Sequence, residues 1–156
     1  MSPEDPLLRL LARLGDEGVE YVLVGGQAVR LHGFVRATED IDVLLRPTRE
    51  NGERVIRALN FLESSRELDP AWFEPQPGEV ENIRVADDLI VDLLFAANGE
   101  TYESLRPYAR EIVVDGVTIR VLSIDGLLRT KTSAREKDIL DRRMLERIKH
   151  GPGAED

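Results

Sequence analysis

The chain has 156 residues, of which 42% are apolar and 33% charged, with a formal net charge of −9 and no cysteine. A chain of this length suits one domain, its short apolar runs exclude a membrane span, and the lack of cysteine excludes disulfides and thiolate metal sites. The acidic balance argues against a surface that coats nucleic acid. We therefore expect a single domain over residues 1–150 and a flexible tail at 151–156. We place the protein in the cytoplasm, because its N-terminus lacks the basic and apolar pattern of a secretion signal.

The first half of the chain predicts helices that alternate with strands. Apolar residues recur at helical spacing near the N-terminus and form short continuous runs further on. The predicted elements are a helix capped by Asp5, a strand at 20–24, a helix at 27–32, a strand at 40–45 and a helix that Thr48 caps and that runs to about residue 61.

The second half predicts mainly strands. The predicted elements are an irregular segment at 64–80, a hairpin around Asp87-Asp88, a short helical piece at 101–107, a hairpin around Asp115-Gly116 and a helical region that Ser123 caps and that runs to about Lys149. This order is not that of a regular βαβ fold. We predict an α+β domain, a mixed β-sheet with helices packed on it.

Carboxylates interrupt two of the apolar strands. In "DIDVLL", alternation sends the apolar side chains to the core and projects Asp40 and Asp42 together from the other face. In "LIVDLLF", Asp92 interrupts a similar run. Each acid alone is compatible with a solvated strand edge. Together they repel one another unless a cation binds, and carboxylate oxygens are ligands that Mg²⁺ prefers. We predict a magnesium site at Asp40, Asp42 and Asp92.

A glycine pair ends the first strand. Gly25-Gly26 lies between a strand and a helix, where the lack of side chains lets backbone N–H groups approach a phosphate. The pair also suits an ordinary tight turn, and it matches neither a P-loop nor a dinucleotide fingerprint. Asp40 follows Gly26 by fourteen residues, enough for a short helix and a returning strand. The turn and the carboxylates can therefore meet at one end of the sheet.

The spaced combination resembles the nucleotidyltransferase superfamily, whose best-known fold is that of DNA polymerase beta. Two sequence segments are most similar to AbiEii-type and minimal bacterial nucleotidyltransferases: "VGGQAVRLHGFVRATEDIDVLL" and "LLRTKTSAREKDILDRRML". The resemblance covers roughly residues 20–45, 83–95 and 123–147. This chain differs from many members of the superfamily because it has Gly-Gly where they have Gly-Ser. The change removes one hydroxyl contact to phosphate.

The resemblance implies roles for these residues. By it, Gly25 and Gly26 hold the phosphates of a nucleoside triphosphate, Asp40 and Asp42 bind both metal ions, and Asp92 binds the ion that activates the acceptor hydroxyl. Lys131 matches a lysine that related enzymes direct at the triphosphate.

Two basic features carry both a functional and a structural interpretation. Arg36 precedes the "DID" strand and suits a bidentate phosphate contact as well as a surface salt bridge. The segment 129–150 has eight Lys or Arg against four acids, a local charge of +4. It suits either a cationic wall that faces a polyanion or a solvated, salt-bridged helix.

We therefore predict a Mg²⁺-dependent transfer of a nucleoside monophosphate from an NTP to an acceptor hydroxyl on tRNA, a protein or a small molecule. A homodimer mate or a partner subunit is expected to help hold the acceptor, and no membrane partner is expected. The alternative is a non-catalytic nucleotide-binding subunit of a toxin–antitoxin-type pair. A metal-dependent phosphohydrolase would also use clustered acids, but it gives no reason for the glycine turn.

Overall fold

The computed structural model describes residues 5–31, 40–75, 82–87, 89–130, 142–143, 145–147 and 149. The helices are α1 (Pro6–Asp16), α2 (Gly25–Leu31), α3 (Arg49–Ala58), α4 (Tyr102–Leu105) and α5 (Ile124–Thr130), with short 3-10 helices at Glu63–Glu67, Pro70–Phe73 and Arg106–Tyr108. The strands are β1 (Tyr21–Val24), β2 (Asp40–Leu45), β3 (Ile83–Ala86), β4 (Ile90–Leu94), β5 (Ala109–Val114) and β6 (Val117–Leu122). Residues 142–143, 145–147 and 149 are also helical. Within these ranges, no helix has the length and apolar character that crossing a bilayer requires.

The strands form one mixed sheet in the order β3-β4-β2-β1-β6-β5. At its centre β1 runs antiparallel to β2 and parallel to β6, and β2 runs parallel to β4. Hairpins add the two edge strands, since β3 is antiparallel to β4 and β5 is antiparallel to β6. This sheet, with helices packed on it, confirms the predicted α+β class.

Side-chain caps start three helices at the residues that the sequence predicts. Oxygens of Asp5, Thr48 and Ser123 accept hydrogen bonds from backbone N–H groups two or three residues further on, at 2.9, 3.1 and 3.2 Å. A cap of this kind satisfies an N–H group that has no partner inside the helix.

The end of α3 differs from the prediction, because the helix stops at Ala58 rather than near residue 61. Its last carbonyls, those of Arg57 and Ala58, accept hydrogen bonds from the guanidinium of Arg13 in α1, at 2.7 and 2.5 Å. The same guanidinium lies 5.6 Å from the ring centroid of Phe61. A long-range contact that sequence periodicity does not show therefore accompanies this helix end and joins α1 to α3.

The two predicted hairpins are present, and the predicted irregular segment has more structure than expected. Asp115 and Gly116 both have positive φ, 49° and 82°, which matches the turn that a two-residue hairpin needs. The segment 64–80 contains 3-10 helices over part of its described residues, and Phe73 is fully buried there. The Phe73 ring meets that of Phe95 edge-on, with centroids 6.0 Å apart. Phe73 is thus a core residue.

The first half of the carboxylate-bearing strand β2 separates its apolar and acidic side chains by face. Ile41 and Val43 are buried, whereas Asp40 and Asp42 are half-buried. Since side chains alternate along a strand, the two acids share the opposite face. Further along that acidic face Leu44 is fully buried. The first half of β2 is therefore the part whose polar side chains a ligand can reach.

Candidate functional site

The register of the sheet brings acids from two strands together. Asp42 in β2 is the direct partner of Asp92 in the parallel strand β4, and Asp40 is the partner of Ile90. Paired residues of neighbouring strands point to the same face. Asp42 and Asp92 therefore stand side by side, with Asp40 two residues away on that same face. The sheet register therefore fixes the backbone positions of these acids relative to one another.

The glycine turn lies directly against one of these acids. Val24, the last residue of β1, pairs with Asp42, and Gly25 follows with φ +71°. A Cβ built on Gly25 would overlap Asp42 Oδ2, and it would lie 3.0 Å from Asp42 Cγ and 3.1 Å from Asp42 Cβ. Both the backbone conformation and the space require glycine here. The predicted meeting of the glycine turn with the first carboxylates is present in the structure. Gly26 is the second residue of α2.

An arginine that the sequence reasoning missed lies among the carboxylates. Arg84 in the edge strand β3 is the register partner of Asp92. Its Nε donates to Asp92 Oδ1 at 2.8 Å, and its Nη2 donates to Asp92 Oδ2 at 3.0 Å. Nη2 also donates to Asp40 Oδ2 at 3.1 Å. One guanidinium thus pairs in bidentate fashion with Asp92 and reaches Asp40.

The charges at this site are coupled. The hydrogen bond with Asp92 is the main cause that raises the pKa of Arg84 above its usual value, followed by the negative charges of Asp92 and Asp40. The Asp92 side chain is 15% exposed, whereas that of Arg84 is 58% exposed. The acid is therefore held in the sheet, while much of the arginine lies in solvent. Part of the repulsion expected between the acids is offset by this guanidinium.

The three carboxylates on β2 and β4 are of the chemical type that suits a hard divalent cation, because Mg²⁺ prefers carboxylate oxygens as protein ligands. As they stand, however, the described residues contain no group of three acidic or imidazole side chains placed to surround one ion. Arg84 contacts two of the three carboxylates. An ion could use Asp40, Asp42 and Asp92 only after contacts with Arg84 are exchanged for contacts with the ion.

Two predicted phosphate ligands, Arg36 and Lys131, lie outside the described residues, as does the predicted tail at 151–156. At least two of the described cations of the basic segment form ion pairs. Arg129 pairs with Glu100 at 3.3 Å, and Lys149 pairs with Asp125 at 2.5 Å. These pairs favour the salt-bridged interpretation of the basic segment at those positions.

A groove of about 470 Å³ lies beside Arg84. Its described lining also includes Trp72, Glu74 and Asn82, and the Trp72 ring is exposed. Trp72 therefore does not belong to the core that buries its neighbour Phe73. Residues 76–81, between Pro75 and Asn82 in the sequence, lie outside the described part of the chain.

No protein-family model matches the chain, and no curated protein matches it in sequence. Solved structures do match. TM1012 from Thermotoga maritima, assigned as a nucleotidyltransferase, superposes with a TM-score of 0.58 at 20% identity over 90% of each chain. The antibiotic-resistance factor ANT(2'')-Ia superposes with a TM-score of 0.56 at 18% identity, over 89% of this chain and 80% of its own. The crystal structure of ANT(2'')-Ia in complex with adenylyl-2''-tobramycin gives 0.54 at 16% identity, over 92% and 90%.

A nucleotidyltransferase-like antigenic protein from Paracoccidioides brasiliensis also matches, with a TM-score of 0.53 at 16% identity over 91% of this chain and 73% of its own. These structures do not address the AbiEii-type resemblance, which stays a prediction. At these identities the likeness concerns the fold. The chain thus has the fold of the nucleotidyltransferases, as its sequence motifs predict.

Proposed function

We propose that this protein is a divalent-metal-dependent nucleotidyltransferase, which moves a nucleoside monophosphate from an NTP to an acceptor hydroxyl. The observation that carries the proposal is the convergence of Asp40, Asp42 and Asp92 on one face of the sheet, with the Gly25 turn against Asp42. Acids in that position cost stability by mutual repulsion. The fold shared with nucleotidyltransferases supports the same function.

The carboxylates and the glycine pair would have different roles in this reaction. Asp40, Asp42 and Asp92 would hold the ions, and the backbone at Gly25 and Gly26 would approach the phosphates of the NTP. Bound Mg²⁺ would neutralise phosphate charge and acidify the acceptor hydroxyl. The five register pairs between β2 and β4 fix the backbone from which the three carboxylates extend. Charges held on a fixed backbone need little rearrangement during the reaction, which is the main contribution of a site of this kind.

The acceptor is expected to be a small molecule or a protein rather than a long nucleic acid. The net charge of −9 repels a polyanion and attracts a cation. ANT(2'')-Ia, which shares the fold, has been crystallised with an adenylylated aminoglycoside, a small polycation. A cationic small molecule with free hydroxyls is therefore the first acceptor to test, with tRNA and protein acceptors beside it.

The position of a radiolabel distinguishes the candidate reactions. The purified protein is incubated with Mg²⁺, an acceptor pool and each NTP labelled in turn on the α- or the γ-phosphate. The pool contains aminoglycosides, total RNA or a protein extract. Nucleotidyl transfer places α-label on the acceptor and releases γ-label as pyrophosphate. Release of γ-label as orthophosphate without labelled acceptor would instead support a phosphohydrolase.

Matched variants make the result specific to the site. Asp42→Asn should abolish α-label transfer, whereas Asp16→Asn removes the same charge from the exposed end of α1 and should leave transfer unchanged. Nucleotide binding without any label transfer, for every NTP and pool, would contradict the proposed enzyme. That outcome would favour the alternative, a nucleotide-binding subunit of a toxin–antitoxin-type pair.

A further inference from the structure

We infer that Arg84 is a built-in counter-ion, which occupies the carboxylate site of the metal-free protein and must leave Asp40 and Asp92 when a divalent ion binds. This inference rests on the proposed function, because it concerns the same three carboxylates. It adds a residue that lowers the affinity of the site for metal and that stabilises the protein while metal is absent.

Geometry supports the competition between Arg84 and an ion. The guanidinium uses both oxygens of Asp92, at 2.8 and 3.0 Å, and one oxygen of Asp40, at 3.1 Å. An ion bound to the same carboxylates would lie a few ångströms from the guanidinium. Both are positive, so they repel each other at that range.

Arg84 cannot resolve this repulsion by losing its proton, since arginine stays protonated in proteins and the neighbouring acids raise its pKa further. It can resolve it by moving. Its side chain is 58% exposed and extends from β3, which is an edge strand with β4 on one side only. A long side chain in this setting can turn into solvent without disturbing the core, whereas Asp92, at 15% exposure, is held between its neighbours.

The exchange explains how acids can be kept together before metal arrives. Without a cation, adjacent carboxylates would repel or take up protons. Arg84 offsets this repulsion through a bidentate pair, the strongest common form of arginine–carboxylate contact. Removing Arg84 should therefore lower the stability of the metal-free protein and raise its affinity for metal. One substitution thus has opposite effects on the two quantities.

Isothermal titration with Mn²⁺ alone tests this directly. Arg84→Gln should bind Mn²⁺ about tenfold more tightly than wild type, within the range usual for coupling between two ligands. Arg84→Lys keeps the charge but cannot form the bidentate pair, so its affinity should fall between the two. Arg110→Gln is the matched control, because Arg110 lies on the opposite edge strand and donates to the backbone carbonyls of Pro107 and Ala109. Its affinity should equal that of wild type.

Thermal unfolding supplies a second readout that does not depend on activity. Without metal, Arg84→Gln should have a lower melting temperature than wild type. Saturating Mn²⁺ should reduce this difference in melting temperature. Equal or weaker Mn²⁺ binding by Arg84→Gln would overturn the inference. If that variant does not fold, Arg84→Lys decides, because affinity no higher than that of wild type would overturn the inference as well.

Failure of the inference is separable from failure of the proposed function. If wild type binds Mn²⁺ in a manner that Asp92→Asn abolishes and transfers α-label, but Arg84→Gln binds no more tightly, only the counter-ion role is wrong. If wild type binds no Mn²⁺ at Asp92, both are wrong. In a nitrogen NMR spectrum, the Nε–H signal of Arg84 should also shift on addition of Mg²⁺, and an unchanged signal at saturation would contradict its release.

Discussion

The contact between Gly25 and Asp42 predicts that one added methyl group damages the site from its backbone side. Gly25→Ala has two costs. The first is the left-handed backbone at φ +71°, which costs a residue with a Cβ about 1–2 kcal/mol. The reduced entropy of the unfolded chain offsets about 0.4–1 kcal/mol of this cost. The second is steric, since the new methyl would overlap Asp42 Oδ2.

The steric cost is not removed by a simple rotation of the Asp42 carboxylate. The methyl would also lie 3.1 Å from Asp42 Cβ, which stays in place when the carboxylate turns. Overpacking of this kind costs about 1–3 kcal/mol. Turning the carboxylate also moves it away from its present place beside Asp92, so transfer activity should fall with stability.

Gly18 offers a matched control for the backbone term. Its φ is +70°, almost that of Gly25, and a Cβ at Gly18 meets nothing within 4 Å. In urea unfolding followed by circular dichroism, Gly25→Ala should lose about 1–3 kcal/mol more than Gly18→Ala, the amount of the steric term. In an Asp42→Ala background that difference should shrink, because the overlap with Oδ2 and Cγ is removed, while the 3.1 Å contact with Cβ, which alanine keeps, should leave part of it. Equal losses for the two alanine variants would refute the assignment of Gly25 to a close contact with the carboxylate.

Three further predictions concern other parts of the molecule. Asp92→Asn should lower kcat for transfer about a hundredfold or more while the fold is retained, since metal charge stabilisation supplies several kcal/mol, and steady-state kinetics with circular dichroism checks both. Asn51 is buried, accepts a hydrogen bond from the N–H of Glu20 at 2.8 Å and donates one to its carbonyl at 3.0 Å. Asn51→Ala should therefore lower the free energy of unfolding, measured in urea, by about 2–4 kcal/mol. A loss below about 1 kcal/mol would contradict that role. Burial raises the pKa of Tyr21 above its usual value, so the folded state favours the neutral phenol, and stability is lost as pH rises from about 10 through the raised pKa. Tyr21→Phe should lose less stability between pH 9 and pH 11 than wild type in the same urea assay, and an equal loss would contradict the shift.

The fold could be predicted largely from the sequence because its determinants are local. The caps at Asp5, Thr48 and Ser123, and the turn at Asp115-Gly116, are short-range patterns that the structure confirms. Alternation in "DIDVLL" was likewise sufficient to place the acids on one face of β2.

Arg84 could not be predicted in the same way, because its role depends on the register of a hairpin. The sequence predicts a turn at Asp87-Asp88, and a two-residue turn there would pair Arg84 with Val91. The observed register pairs Ala86 with Ile90 and leaves three residues between them, which places Arg84 opposite Asp92. One residue of register moves a side chain to the other face of the sheet. A prediction that assumed a three-residue turn would have placed Arg84 opposite Asp92.

A crystal structure of the protein with Mn²⁺ and a non-hydrolysable NTP analogue tests the central proposal most directly, because the anomalous signal of manganese locates the ion. We predict an anomalous peak at about 2.1 Å from carboxylate oxygens of Asp42 and Asp92, with the triphosphate against the Gly25-Gly26 turn. Nucleotide bound at another surface, or bound at this turn with no ion at either carboxylate, would contradict the assignment of this site to metal-dependent nucleotidyl transfer.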